Sequence, residues 1–394
     1  MIPFEQAFTH VMDRCRPVQD AENVSLSESV GRILIKDIPA DRDIPPFDRV
    51  AMDGYACRRQ DLGNELEVIE TVAAGSVPEK TIEKNQCSKV MTGCILPKGA
   101  DMVFMVEQSS EVKPGFVKFT GNAKTAAGNF AAKGEDIKKG STVLKKGTLI
   151  KPHHIAVFAS VGITQVPVYQ KLKVGIISTG SEVVDPEVAP LAHQIRDANS
   201  PQLAALVRSA GCTAIEYGIA PDEKEKLRNI IKKASGKCRV ILMTGGLSMG
   251  DFDLVPGILT DLGFEIIFNR VAVKPGKPTT FSVSDSSVCF GLPGNPVSAF
   301  VVFELLVKPF LYKMMGHSSI APALHLPLAE SWSRGKSART EWRPVILTEK
   351  GEVKLVEYHG SGHYHALSEA FGIAAIPQGV THIEKGTLVN VRQI

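Results

Sequence analysis

The hydrophobic pattern changes character several times along the chain. Phe4, Ala7, Phe8, Val11 and Met12 recur at helical spacing, which predicts an amphipathic helix over residues 3–15. Residues 22–40 carry SLSESVGRIL, read as a short strand and helix. The prolines of DIPPFDRVAMDGYA then interrupt regular structure. Between 55 and 140, short runs broken by glycine (LEVIETVAAG, CSKVMTG, MVFMVEQ, GFVKFTG) predict a small β-barrel-like domain. KPHHIAVFASVG returns to helix, with Pro152 near its start and Gly162 past its end. His153 and His154 are adjacent and cannot share a helix face, so they read as helix-start residues.

Residues 171–316 alternate apolar strands with helices, which predicts a doubly wound parallel sheet. KVGIIST, CTAIEYGIA and RVILMTGG are the first strands, and FEIIFNRVAVK, TTFSVS and VCFGL complete the sheet. Ser200-Pro201 opens a helix that Gly211 ends. Asp222 with Glu225 forms a capping box, and Asn295 caps a long helix from Pro296 to Gly316. Beyond 317, RPVILT, VKLVEY and TLVNV flank the glycine-rich HGSGHYH, which suggests a separate small all-β domain. The fold class is therefore multidomain α/β. Residues 1–46 with 141–170 form an N-terminal linker domain, 47–140 a small β-rich domain, 171–318 the α/β domain and 319–394 a C-terminal β domain.

The chemistry gathers at the strand ends. STGSE and TGGLSMGDFD each follow an apolar strand, so both belong at the carboxyl edge, where open α/β sheets bind ligands. Small residues there (Thr179, Gly180, Gly245, Gly246, Ser248, Gly250) let backbone N–H groups reach a phosphate. Glu182, Asp222, Asp251 and Asp253 fall at the same edge, and such carboxylates repel one another unless a divalent cation intervenes. Mg²⁺ suits the oxygen donors Glu182 and Asp222 together with substrate phosphate. VKPGKP stiffens a turn that carries Lys274 and Lys277, point charges suited to phosphate or a tetrahedral oxyanion. GLPGNP (Pro293, Gly294, Asn295, Pro296) brings a helix N-terminus to this edge. Ser361 adds a hydroxyl on a flexible loop, whose His359, His363 and His365 read as loop residues with no carboxylate or cysteine beside them. No Ser–His or Cys–His nucleophile pair is evident, which disfavours covalent catalysis.

Composition narrows the class. The chain has 394 residues, 44% hydrophobic and 22% charged, as in an ordinary globular protein of several domains. A net charge of +3 without a basic run argues against nucleic acid as the main partner. The N-terminus lacks the apolar core of a signal peptide, and no apolar stretch is long enough to span a bilayer. Seven scattered cysteines with no CxxC fit a reducing cytoplasm.

MDGYA, MTG, GED, STGSE, TGGLSMGDFD, KPGKP and GLPGNPVSA occur here in the order and approximate spacing of the MoeA family, which the whole chain resembles. These are the molybdopterin molybdenumtransferases, and they include the E domain of gephyrin. The resemblance implies a MogA-like α/β domain with β-rich domains, in an elongated homodimer that dimerises partly through the N-terminal linker domain. It implies a Mg²⁺-assisted reaction in which molybdate is inserted into adenylylated molybdopterin and AMP is released. It further implies a cleft between the α/β domain of one subunit and the β-domain of the other. Asp53, Thr92 and Asp136 thereby join Glu182, Asp222, Asp253, Lys274 and Lys277 as implied catalytic residues. Pro293 and Pro296 match the GLPGNP prolines, Ser361 a C-terminal serine, and Arg339 or Arg343 a nearby arginine. Molybdopterin adenylyltransferase and molybdoenzymes are the implied partners. One departure is the approach to GED, often arginine-rich in the family, which here reads Ala131, Ala132 and Lys133. Two rival readings are the related adenylyltransferase, which shares the 171–316 module, and a non-enzymatic scaffold.

Overall fold

The computed structural model describes residues 1–245, 254–317, 323–335, 338–357, 360 and 362–394. The chain divides into two compact units. One comprises 36–146 and 152–164, and the other comprises 1–35, 147–151 and 165–394.

The unit built on 36–146 centres on six strands: β1 (Gly54–Cys57), β2 (Glu65–Val72), β3 (Gln86–Val90), β4 (Met102–Met105), β5 (Ser109–Lys113) and β6 (Phe116–Phe119). They form one sheet in the order β4-β1-β3-β2-β6-β5. The expected barrel is thus an open sheet with β4 and β5 at its edges. Two apolar clusters hold it, one around Leu66, Phe104 and Phe119 and the other around Val72, Val90 and Val103. Pro152–Ser160 is helical as expected, and Gly162 follows it at φ +71°.

In the larger unit, the expected N-terminal helix spans Phe4–Asp13 and buries Ala7 and Val11. The central sheet uses β7 (Lys173–Thr179), β8 (Thr213–Ala220), β9 (Val240–Thr244), β10 (Glu265–Phe268), β12 (Thr280–Val283) and β13 (Val288–Leu292). Its order is β8-β7-β9-β13-β12-β10. The first four strands are parallel, but β12 pairs antiparallel with β13, and the edge strand β10 pairs antiparallel with β12. The sheet is therefore mixed rather than wholly parallel.

Strand alternation explains the continuous apolar runs. Val240 and Leu242 face a cluster with the helix Asn199–Ser209 and the C-terminal helices. Ile241 and Met243 face the opposite cluster, with Lys224–Ser235 and Val255–Asp261. Both faces are covered, so successive side chains are apolar.

Three further expectations change. FEIIFNRVAVK is two strands: β10 stops at Phe268, and β11 (Val273–Lys274) joins a different sheet. The intervening backbone is occupied by Ile2, whose N–H donates to Arg270 O and whose carbonyl accepts from Ala272 N–H. The C-terminal strands consequently share a sheet with this part of the chain. Their sheet, β11-β15-β17-β18-β14 with β16 beside β15, takes β11 from the α/β segment. Here β14 is Leu324–Pro327, β15 Thr340–Leu347, β16 Val353–Leu355, β17 Gly372–Ile376 and β18 Leu388–Gln393.

The Asp222–Glu225 capping box is also absent. The helix begins at Lys224 with Glu223 in the N-cap position and no side-chain cap bond. The Asp222 carboxylate is instead occupied by Ser181 N–H. Finally, Asn295 takes the N-cap position ahead of Pro296 without a side-chain cap bond, and the long helix contains a π-helical segment at Phe303–Val307. Pro309 follows that segment, and its missing N–H cannot complete a regular α-helical ladder.

Candidate functional site

The carboxyl edge of the α/β sheet is built by close backbone approach. β7 ends on buried Ser178 and Thr179, and the Thr179 hydroxyl donates to Thr244 O at 3.2 Å. Gly245 follows at φ +82°, where a Cβ would lie 2.3 Å from Thr179 O. No other residue fits that turn. Gly180 is at φ +135°, and a Cβ there would lie 2.8 Å from Glu182 Oε2. Ser181 N–H donates to Asp222 Oδ2 at 3.1 Å, which ties the carboxylate of one strand end to the loop of its neighbour.

The start of the helix Asn199–Ser209 adds a second layer. Asp197 is buried, and its Oδ1 accepts the N–H groups of Asn199 and Ser200 at 3.0 Å each. Its Oδ2 accepts the Ser200 hydroxyl at 2.6 Å. These bonds satisfy helix-start donors that otherwise have no partner. Asn199 Nδ2 donates to Gly294 O at 2.6 Å, anchoring the GLPGNP turn to this helix.

The lysine turn is equally fixed. Lys274–Pro275 is a cis peptide, Gly276 has φ +120°, and the Thr279 hydroxyl donates to Gly276 O at 2.6 Å. Val271 N–H donates to Lys277 O at 3.1 Å. Lys274 Nζ lies 3.2 Å from Glu341 Oε1, and Arg334 Nη1 lies 3.0 Å from Glu341 Oε2. Arg339 Nη1 donates to Val273 O at 3.2 Å.

These elements enclose a cleft of about 980 Å³. It brings together the sequence-assigned Thr179, Glu182, Gly245, Lys274 and Lys277, and also Pro293, Gly294, Asn295 and Pro296. Arg339, one of the two arginines the sequence offered, is at its wall; Arg343 is not among the lining residues. Gly180 and Asp222 flank Ser181 and Glu182 as described above. Gly246, Ser248, Gly250, Asp251, Asp253, His359 and Ser361 lie outside the described residues.

The other unit holds Asp53, Thr92 and Asp136. Asp53 Oδ1 accepts from both the N–H and the hydroxyl of Thr92, each at 2.7 Å. These two bonds hold the Asp53 carboxyl below its ordinary range. The GED turn is pinned through its backbone. Asp136 N–H donates to Ile44 O, Lys133 N–H to Asp48 Oδ1 at 2.8 Å and Ala132 N–H to Glu135 Oε2 at 2.8 Å. Lys133 Nζ is 3.7 Å from Asp43 Oδ2, so the single basic residue of that approach already has a carboxylate beside it.

Mg²⁺ fits the donor chemistry of Glu182 and Asp222, both exposed oxygen donors on neighbouring loops. Among the described residues no group of three His, Cys, Asp or Glu that could hold a metal ion is present. The structure also adds a Ser–His pair that sequence reasoning missed. Ser333 Oγ lies 2.7 Å from His382 Nδ1, whose Nε2 lies 2.9 Å from Glu384 Oε1. All three are exposed and none lines the cleft. Asp197 and Asn199 were missed although Asp-Ala-Asn-Ser-Pro at 197–201 is a readable helix start. Glu341 had no sequence signal, because its contact with Lys274 depends on the pairing of β11 with β15, and Arg334 had none, because its contacts to Val380 O, Pro377 O and Glu341 form only in the fold.

Comparison with known proteins agrees along the whole chain. Residues 2–162 match the family description MoeA N-terminal region (domain I and II), 175–313 a probable molybdopterin binding domain, and 325–394 the MoeA C-terminal region (domain IV). A protein named molybdopterin molybdenumtransferase from Staphylococcus epidermidis is 36% identical over 400 residues, covering 99% of this chain and 95% of the relative. Its namesake from Staphylococcus aureus strain Mu50 is 34% identical over 403 residues, with the same shares. The crystal structure of the molybdopterin biosynthesis moeA protein from Pyrococcus horikoshii OT3 superposes with a TM-score of 0.86, at 32% identity and with 100% of both chains covered.

Proposed function

The chain belongs to the MoeA family of molybdopterin molybdenumtransferases, enzymes of molybdenum cofactor biosynthesis, and from that premise we propose that it inserts molybdenum from molybdate into adenylylated molybdopterin with release of AMP. The observation that carries this reading is the cleft at the carboxyl edge, where two lysines, a glycine-only turn and Glu182 face one volume. An anionic substrate pair needs such positive charge and such backbone access.

In the proposed mechanism Lys274 and Lys277 offset the charge of molybdate and phosphate. The STGSE and GLPGNP turns position the substrate, so that positioning and electrostatics supply most of the acceleration. Glu182 and Asp222 would hold Mg²⁺, which when bound neutralises charge on the pyrophosphate as the adenylyl bond is cleaved. Asp53, Thr92 and Asp136 act in the same reaction, and Asp53 contributes an ionised carboxylate. The active species is a cytoplasmic homodimer that exchanges substrate and product with an adenylyltransferase and with molybdoenzymes. Among the described residues no helix is long and apolar enough to cross a membrane.

The test supplies purified protein with adenylylated molybdopterin, Mg²⁺ and molybdate, and follows AMP together with active cofactor. Molybdate-dependent AMP release with active cofactor is expected. No such release, with ATP and molybdopterin consumed in a parallel reaction that supplies those two instead, would make the protein an adenylyltransferase. Neither reaction, with partner binding retained, would make it a scaffold.

A further inference from the structure

We propose that Glu341 is a positioning residue for this reaction: a buried carboxylate that fixes the direction of the Lys274 ammonium at the cleft wall. The inference rests on the reading of the cleft given above. Lys274 stands opposite Glu341 in the parallel pairing of β11 with β15. The Glu341 side chain is only 3% exposed, whereas that of Lys274 is 49% exposed. A carboxylate so buried is strongly unfavourable without countercharge. It has two cations, with Lys274 Nζ 3.2 Å from Oε1 and Arg334 Nη1 3.0 Å from Oε2.

The two cations differ. The Arg334 side chain is 9% exposed and is locked by donating Nε to Val380 O at 2.8 Å and Nη2 to Pro377 O at 2.7 Å. Arg334 therefore neutralises Glu341 and sets its orientation. Lys274 is the partner that reaches the cleft. An ammonium has three donors, so one spent on Glu341 leaves two for an oxyanion. Two cations and one carboxylate leave a net charge of +1, so the clamp aims Lys274 without cancelling it. The Arg339 bond to Val273 O holds the backbone just before Lys274. A lysine on a free four-carbon stem would have to lose rotamer freedom on meeting substrate, and here that freedom is already reduced.

The experiment is a double-mutant cycle on the full-length protein. Glu341→Gln keeps the shape and removes the charge, and is expected to lower kcat/KM for molybdate-dependent AMP release about tenfold. In a Lys274→Met background the same change should cost less than about twofold, because Glu341 acts through Lys274. Losses that multiply in the double variant, or a wild-type rate in Glu341→Gln, would overturn the proposal. Should Glu341→Gln fail to fold around Arg334, Glu341→Asp keeps the negative charge beside the buried guanidinium while shortening the reach to Lys274, and the same cycle applies. A second readout needs no activity: the rate of reductive methylation of Lys274, followed by peptide mass spectrometry against Lys237. It should rise several-fold when Glu341 is replaced, and an unchanged rate would count against the clamp. A wild-type protein without AMP release would sink the functional reading, while the methylation rate would still decide the role of Glu341.

Discussion

Asp53 Oδ1 accepts two hydrogen bonds from Thr92, one from its backbone N–H and one from its hydroxyl, each 2.7 Å long. Both favour the ionised carboxyl, the side-chain bond more than the backbone one, and so its pKa is lowered. Thr92→Val keeps the N–H and removes the hydroxyl, so the Asp53 pKa should rise toward the ordinary carboxylate range. A carbon-detected NMR titration of the side chain reads this directly. The sign for stability follows. A depressed folded-state pKa contributes above the unfolded value and is lost as pH falls through the folded one, so the turn loosens only in acid. An unmoved Asp53 pKa in Thr92→Val would remove the hydroxyl as its cause.

Two glycines separate conformational need from convenience. At Gly245, φ is +82° and a Cβ would meet Thr179 O at 2.3 Å, so Gly245→Ala should destabilise by about 1–3 kcal/mol and empty the cleft of activity. At Gly257, inside the helix Val255–Asp261, a Cβ would meet nothing within 4 Å. Gly257→Ala should therefore stabilise by about 0.5–1 kcal/mol with unchanged turnover. Urea denaturation of the two variants should shift the midpoint in opposite directions. A shift in the same direction would mean that the Gly245 turn relaxes to accept a side chain.

Asp222 is the carboxylate whose role changed most between sequence and structure. It does not cap the helix Lys224–Ser235, so replacing it should leave that helix intact. Asp222→Ala should lower Mg²⁺-dependent AMP release on the order of a hundredfold, with little change in thermal midpoint. A normal rate at saturating Mg²⁺ would withdraw Asp222 from the metal site. A large fall in midpoint would show that its bond to Ser181 N–H is structural.

Local signals were legible where the chemistry was local. The apolar runs at 173–179 and 240–244 located the sheet's core strands, and Thr179, Glu182 and Gly245 at their ends line the cleft. Long-range pairing was not legible. VAVK is apolar enough to look like a continuation of FEIIF, and nothing local says that Ile2 takes the backbone of Arg270 and Ala272. Glu341 sits in TEWRPVIL, an ordinary strand in sequence, and becomes informative only once Lys274 lies opposite it. Asp222 was misassigned because a capping-box spacing states what can form, and Ser181 N–H competed for the same carboxylate.

Asn199 holds the GLPGNP turn against the helix Asn199–Ser209. It is 8% exposed, its Nδ2 donates to Gly294 O at 2.6 Å, and it lines the cleft next to the turn it holds. Removing the amide in Asn199→Ala leaves Gly294 O without that donor and should cost about 1 kcal/mol. Asn199→Asp is nearly isosteric, yet it sets a carboxylate oxygen against the Gly294 carbonyl. Two acceptors then face each other in a buried place, and the cost should rise to about 3 kcal/mol. Both variants retain Lys274, Lys277 and Glu182, so the looser GLPGNP turn should appear chiefly as a raised KM for adenylylated molybdopterin. Urea denaturation and steady-state kinetics on the pair test this together. If Asn199→Asp matches Asn199→Ala in stability, the Nδ2–Gly294 contact is not what orders the turn.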